Sequence, residues 1–222
     1  MGGKKLFLLL IYYIAIRIVT AIRRMNLEDK KFFLKSVVKY IDSGIDSESL
    51  EYFVNGTTEK TLNKNEVFIN TQRIHNEIGF VVKGLLRGFY LNDKGNELNT
   101  RFIKEGNFAT HYKAFLCQEP SKYFFKTVEP TQLLCFNYEH IQNCYKLFPS
   151  FEKFGRLMAE AVIIKMDSRL ESQQFDNAEK RYFEFMQEFP DLHNRLSLEQ
   201  IASYIRVTRP ALSRLRAKKK VT

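Results

Sequence analysis

The chain is 222 residues long, 45% hydrophobic and 27% charged, with 35 Lys and Arg against 25 Asp and Glu for a formal net charge of +10. That composition supports a packed core in one large domain or two ordinary ones, and it excludes wholesale disorder and fibrous repeats. The positive excess sits at the ends: residues 1–24 carry Lys4, Lys5, Arg17, Arg23 and Arg24 with no acid, and residues 191–222 carry eight basic side chains against Asp191 and Glu199. A near-neutral body with two basic ends points to a polyanion or a membrane surface as partner.

The run from Leu6 to Ile22 is apolar except for Tyr12, Tyr13, Arg17 and Thr20. It is shorter than the roughly 20 residues a spanning helix needs, and an arginine near the middle of a span costs about 2.5–3.5 kcal/mol. No small-x-small cleavage signal precedes Arg23, so export has little support. Residues 1–24 are expected to be an extension outside the fold, with translation from Met25 one explanation; membrane contact through residues 6–22 is the alternative.

Leu27, Phe32, Phe33, Leu34, Val37, Val38 and Ile41 follow helical spacing and predict a helix over 27–41, with a short second helix over Ser49–Val54. After Gly56 the pattern changes to short apolar runs between glycines, which predict strands at Ile78–Val82, Leu85–Leu91, Leu98–Ile103, Tyr123–Val128 and Gln132–Phe136. Asp93-Lys94-Gly95-Asn96 reads as a hairpin turn. This is the pattern of an antiparallel barrel or roll. From Pro149 the texture is helical: Phe151, Phe154, Met158, Ala161 and Leu170 form a stripe that either covers the barrel or, broadened by Val162, Ile163 and Met166, meets a second copy of the chain. The second reading, a homodimer, is preferred. Ala178–Phe189 predicts a further helix closed by Pro190.

Ser197-Leu198-Glu199-Gln200 is a capping box flanked by Leu196 and Ile201 as a hydrophobic staple, so a helix starts at Leu198. Thr208 then reads as a second N-cap with Pro210 in the first turn, and Val207 and Leu212 repeat the staple. Two short helices joined by a tight turn form a helix-turn-helix. Its apolar positions are Ile201, Ala202, Ile205, Val207, Leu212 and Leu215. Its other face carries Thr208, Arg209, Pro210, Ser213, Arg214 and Arg216, leading into Lys218, Lys219 and Lys220. Guanidinium groups suit guanine edges in the DNA major groove, while hydroxyls, helix N-termini such as that at Ser197, and lysines suit phosphates. Arg206 occupies the turn position where glycine usually supplies a positive φ.

Cys117, Cys135 and Cys144 have no pairing pattern, which points to a reducing, cytoplasmic setting. His75, His111, His140 and His193 lack metal-ligand spacing, so no metal, no cofactor and no enzymatic activity are expected. A cupin-like barrel enzyme needs clustered histidines that the sequence does not supply.

A β-roll, a long helix and a C-terminal helix-turn-helix in this order resemble the CRP/FNR family of transcription regulators, in its divergent branch of unassigned ligand found in Bacteroides-like bacteria. The likeness spans about residues 27–220 and is carried by Glu77-Ile-Gly-Phe-Val-Val-Lys-Gly-Leu-Leu-Arg87 and by Leu198 to Arg216. It implies an α+β chain, with a cyclic-nucleotide-binding-like jelly roll over 25–147, a dimerisation helix over 148–172, and a winged helix-turn-helix over 173–222. The implied partners are double-stranded DNA, a second copy of the chain, RNA polymerase and a small-molecule effector. Thr208, Arg209, Ser213 and Arg214 fall on the family's base- and phosphate-contacting positions, and Pro210 replaces a glutamate used to read cytosine.

The family's cyclic-nucleotide motif is altered. Gly106-Asn107-Phe108 keeps its turn, but Thr110-His111 stands where Gly-Glu would, and Lys122-Tyr123 where Arg-Ser would. Without that carboxylate and bidentate guanidinium, cyclic AMP is disfavoured. Arg87, Thr110, His111, Lys122 and Tyr123 remain as candidates for an effector pocket of unknown ligand, with Lys122 able to serve an anion. A membrane-tethered sensor is the rival reading.

Overall fold

The structure, a computed structural model, describes residues 25–219, so the expectations for residues 1–24 and for Lys220 lie outside the described residues. Helix α1 (Leu27–Ile41) begins with a capping box, in which the Asn26 side chain accepts from the Asp29 N–H at 2.9 Å and the Asp29 carboxylate accepts from the Asn26 N–H at 3.2 Å. Helix α2 (Ser47–Asn55) starts earlier than its apolar pattern suggests, because Asp46 accepts from the Ser49 N–H at 2.7 Å and fixes the first turn.

The strands are β1 (Thr58–Leu62), β2 (Val67–Ile69), β3 (Glu77–Lys83), β4 (Leu85–Leu91), β5 (Glu97–Lys104), β6 (Phe108–Ala109), β7 (Phe124–Thr127) and β8 (Thr131–Asn137), with the short helix α3 (Tyr112–Cys117) between β6 and β7. They form two four-stranded sheets, ordered β1-β8-β3-β6 and β2-β7-β4-β5. In the first sheet β3 and β8 are antiparallel, with Ile78 opposite Phe136 and Phe80 opposite Leu134.

Side chains alternate across that pair. Phe80, Val82, Leu134 and Phe136 enter a core with Phe33, Leu34, Leu50 and Phe53 of the two helices. Val81, Leu133 and Cys135 enter a second core with Ile69, Leu86, Ile103 and Phe125. Both faces of the sheet are therefore buried. This is why the Ile78–Val82 run is continuously apolar instead of alternating.

Gly84 joins β3 to β4 at φ +103°, and its N–H donates to the buried Glu105 carboxylate at 2.9 Å. A Cβ there would stand 2.7 Å from the Pro130 carbonyl oxygen.

The remaining elements are helical: α4 (Tyr138–Leu147), α5 (Pro149–Phe175), α6 (Ala178–Glu188), a 3-10 turn (Leu192–Asn194), α7 (Leu198–Tyr204) and α8 (Arg209–Lys219). The link from α6 to α7 is taken up by the 3-10 turn, and no strand occurs after Asn137 among the described residues, so the implied wing has no counterpart there. No described helix is long and apolar enough to cross a membrane.

Contacts divide the chain into two compact units. One runs through Leu86 and resumes over Ile103–Met158; the other comprises Arg87–Phe102 and the chain from Ala159 onward. The β4–β5 hairpin thus packs for most of its length with the C-terminal helices. Within the first unit, Phe151 and Phe154 of α5 are buried in the core, their rings tilted against Phe53, and Met158 packs against the same cluster. These three belong to the core-covering face, and the apolar side chains that stay exposed lie farther along α5. There Ala161 is exposed, as are Val162, Ile163, Ile164, Met166 and Leu170.

Gly84→Ala is expected to lower stability by about 1–3 kcal/mol from backbone strain alone, with the Pro130 contact adding to it. Chemical denaturation of the two proteins measures the loss. Burial holds the His75 imidazole down to about 4, with Lys60 acting in the same direction and Glu77 opposing. Its folded pKa lies below the ordinary value near 6.5, so its stability contribution is present above pH 6.5 and is lost as pH falls from there toward 4. The melting temperature is expected to fall between pH 7.5 and 5, and to fall less in His75→Gln.

Candidate nucleic-acid interface

Helix α7 is opened by the predicted capping box: Ser197 Oγ accepts from the Gln200 N–H at 3.2 Å, and Gln200 Oε1 accepts from the Ser197 N–H at 2.9 Å. Leu196 and Ile201, the staple pair, are both buried. Helix α8 is opened by Thr208, whose Oγ1 accepts from the Ala211 N–H at 3.3 Å and whose carbonyl accepts from the Leu212 N–H at 3.0 Å. Ile201, Ala202, Ile205 and Leu212 are buried between the elements, Leu212 completely.

The turn has the geometry of a Schellman motif. The Arg206 N–H closes on the Ser203 carbonyl at 3.3 Å and the Val207 N–H on the Ala202 carbonyl at 2.9 Å. Arg206 sits at φ 58°, the left-handed region where glycine was missed in the sequence, and a non-glycine residue there costs roughly 1–2 kcal/mol.

Three further carbonyls at the turn, those of Tyr204, Ile205 and Arg206, each have a guanidinium donor. Arg169 of α5 donates to the Tyr204 carbonyl at 3.1 Å and lies 3.7 Å from the centre of the Tyr204 ring. Arg181 of α6 donates through Nε to the Ile205 carbonyl at 2.8 Å, through Nη2 to the Arg206 carbonyl at 3.5 Å, and through Nη1 to the Asp176 carbonyl at the end of α5. Burial lowers the Arg169 pKa and raises that of Tyr204.

The hairpin supplies the other support. The Asn99 N–H donates to Ser203 Oγ at 2.8 Å, Ser203 Oγ donates to the Glu97 carbonyl at 3.3 Å, and Arg206 Nη1 donates to the Tyr90 hydroxyl at 3.2 Å. Phe102 joins Phe185, Phe189 and Tyr204 in an aromatic cluster. The sequence pointed to none of these supports. Their residues lie far away in the chain and their local patterns read as ordinary strand and helix positions.

With α8 fixed in this way, Arg209, Pro210, Ser213 and Arg214 are exposed and Arg216 is half-buried. Arg209 Nη1 reaches Glu199 Oε1 at 3.5 Å, a surface pair worth little in water. Lys218 and Lys219 continue the same helix. The structure therefore places Arg209, Pro210, Ser213, Arg214 and Arg216 on one helix, while Ser197 and Thr208 serve as the N-caps of α7 and α8.

The candidate effector positions separate. Arg87 belongs to the hairpin, is 6% exposed, and has its charge matched by Glu97 at 2.5 Å, with Asn99 Oδ1 accepting at 3.2 Å. In the roll, His111 Nδ1 lies 3.0 Å from Ser121 Oγ, and its ring meets Tyr123 edge-on at 4.9 Å. Thr110 Oγ1 is buried without a partner among the described residues, and Lys122 is exposed. The other histidines stand apart: His75 is edge-on to Phe68, His140 stacks on Tyr52 and bonds to the Phe53 carbonyl, and His193 bonds to the Pro190 carbonyl. The three cysteines are free, and burial raises Cys135 and Cys144 to about 12.

Among solved structures, the chain is similar to FixK2 from Bradyrhizobium japonicum, with a TM-score of 0.64 and 15% identity over 74% of this chain and 85% of that one. It is similar to the c-di-GMP responsive global regulator CLP of Xanthomonas campestris, with a TM-score of 0.64 and 14% identity over 79% of this chain and 92% of that one. A CooA variant from Carboxydothermus hydrogenoformans gives a TM-score of 0.58 and 17% identity over 82% of this chain and 83% of that one. The chain has the fold of the CRP/FNR transcription regulators. No protein-family model and no curated protein matches it.

Proposed function

We propose that the chain is a sequence-specific DNA-binding transcription regulator that acts in the cytoplasm as a homodimer on a near-palindromic site. The observation that carries this reading is α8: a helix capped by Thr208 and held by the fully buried Leu212, with Arg209, Ser213 and Arg214 exposed. Arginine forks there suit guanine O6 and N7, and a helix of this size suits the major groove.

Dimerisation is supported by α5. Ile163, Met166 and Leu170 are 64%, 57% and 52% exposed at helical spacing. Burying each such side chain against a copy would contribute about 1.5–3 kcal/mol. A two-fold dimer presents its reading helices to major grooves about 34–36 Å apart. The roll is the effector-sensing part. Its unpaired Thr110 hydroxyl and exposed Lys122 favour a small polar or anionic ligand other than cyclic AMP, and RNA polymerase is the implied downstream partner.

Selection of bound sites from a random duplex library is expected to enrich a near-palindrome; recovery of no common site would overturn the proposal. On the enriched duplex, Arg209→Ala and Arg214→Ala are expected to cost about 1–3 kcal/mol and to relax base preference, whereas Lys219→Ala weakens all sequences alike and lowers the salt slope by about 1. Ile163→Glu is expected to sediment as a monomer and to lose roughly 10²–10⁴-fold in operator affinity, because the second half-site no longer binds intramolecularly.

A further inference from the structure

The turn between α7 and α8 is held by two guanidinium groups, those of Arg169 and Arg181. Arg206 has the left-handed conformation that glycine holds unaided and that an L side chain resists. The Tyr204, Ile205 and Arg206 carbonyls, at the negative end of the α7 dipole, all take N–H groups from Arg169 and Arg181. Arg181 is fixed from the other side as well, by the Asp176 carbonyl. Its planar fork therefore spans the end of α5 and two successive carbonyls of the turn, a task for which the single ammonium of lysine has the wrong shape. The Arg206 side chain is directed to Tyr90, donating to its hydroxyl at 3.2 Å.

We infer that Arg181, supported by Arg169, is a positioning residue that sets the attitude of α8, so that discrimination between DNA duplexes depends on it while attraction to phosphate does not. This rests on the DNA-binding reading of α8. Without the fork, two carbonyls at the turn lose their partners, the left-handed residue relaxes, and Arg209 and Arg214 lose their register on base edges.

The test compares wild type, Arg181→Met, Arg181→Lys and the double variant Arg181→Met with Arg206→Gly, each titrated with the library-selected duplex and a random duplex at several salt concentrations. Arg181→Met is expected to lose about tenfold in the selected-to-random ratio, the scale of hydrogen bonds to a charged donor, with random-duplex affinity and salt slope unchanged. Glycine at 206 holds the turn alone, so the double variant is expected to recover the ratio. Arg181→Lys, the milder change should the methionine variant fail to fold, is expected to recover it only in part. An unchanged ratio, a reduced salt slope marking Arg181 as a phosphate contact, or a double variant no better than the single would overturn the inference.

Amide hydrogen exchange reads the clamp without DNA. The Arg206 and Val207 amides are expected to exchange about tenfold faster in Arg181→Met and at the wild-type rate in the double variant; unchanged exchange in Arg181→Met overturns the clamp. A wild-type protein that prefers no duplex overturns the DNA reading and the selectivity claim, and the exchange result then judges the clamp on its own.

Discussion

An exposed helix keeps one attitude only if its neighbour holds it. In this chain α8 follows the end of α7, where the Tyr204, Ile205 and Arg206 carbonyls and a left-handed arginine are satisfied in a space of one turn. Elsewhere such a turn is made with glycine. Here Arg206 is accommodated because guanidinium groups from α5 and α6 take the carbonyls, and because its own side chain finds the Tyr90 hydroxyl. The exposed row on α8 depends on that arrangement, and so does any function assigned to the row.

The same turn ties together parts of the chain that are distant in sequence. Ser203 accepts from and donates to the hairpin backbone, and Tyr204 lies among Phe102, Phe185 and Phe189 with the Arg169 guanidinium on its ring. The hairpin strands begin and end in the β-roll, yet their central part, Arg87–Phe102, packs with the C-terminal helices. One covalent element therefore has residues in both compact units.

What the sequence made legible was what is encoded locally. Helix α1 is legible in its apolar spacing and helix α7 in its capping box, which starts it where Ser197 stands. The β3, β4 and β5 runs are apolar enough to stand out between glycines, and Thr208 with Leu212 announces α8. The edge strand β1, Thr58–Leu62, is mostly polar and exposed, so it has no apolar signature; it exists because β8 pairs with it. Helix α4 ends at Leu147, directly before the Phe148-Pro149 start of α5, and the two helical patterns run together. The supports of the turn were illegible for the same reason: Arg169, Arg181 and Asn99 have meaning only once the fold brings them to Tyr204, Ile205 and Ser203.

The central claim, that α8 reads base edges in a major groove from each half of a dimer, is tested most directly by methylation interference on a duplex that the protein selects. Methyl groups on guanine N7 lie in the major groove and those on adenine N3 in the minor groove. The account predicts that guanine N7 methylation blocks binding in two clusters separated by about 10–10.5 base pairs, with adenine N3 methylation tolerated at the same positions. Interference from adenine N3 alone, or from no base at all, would contradict it.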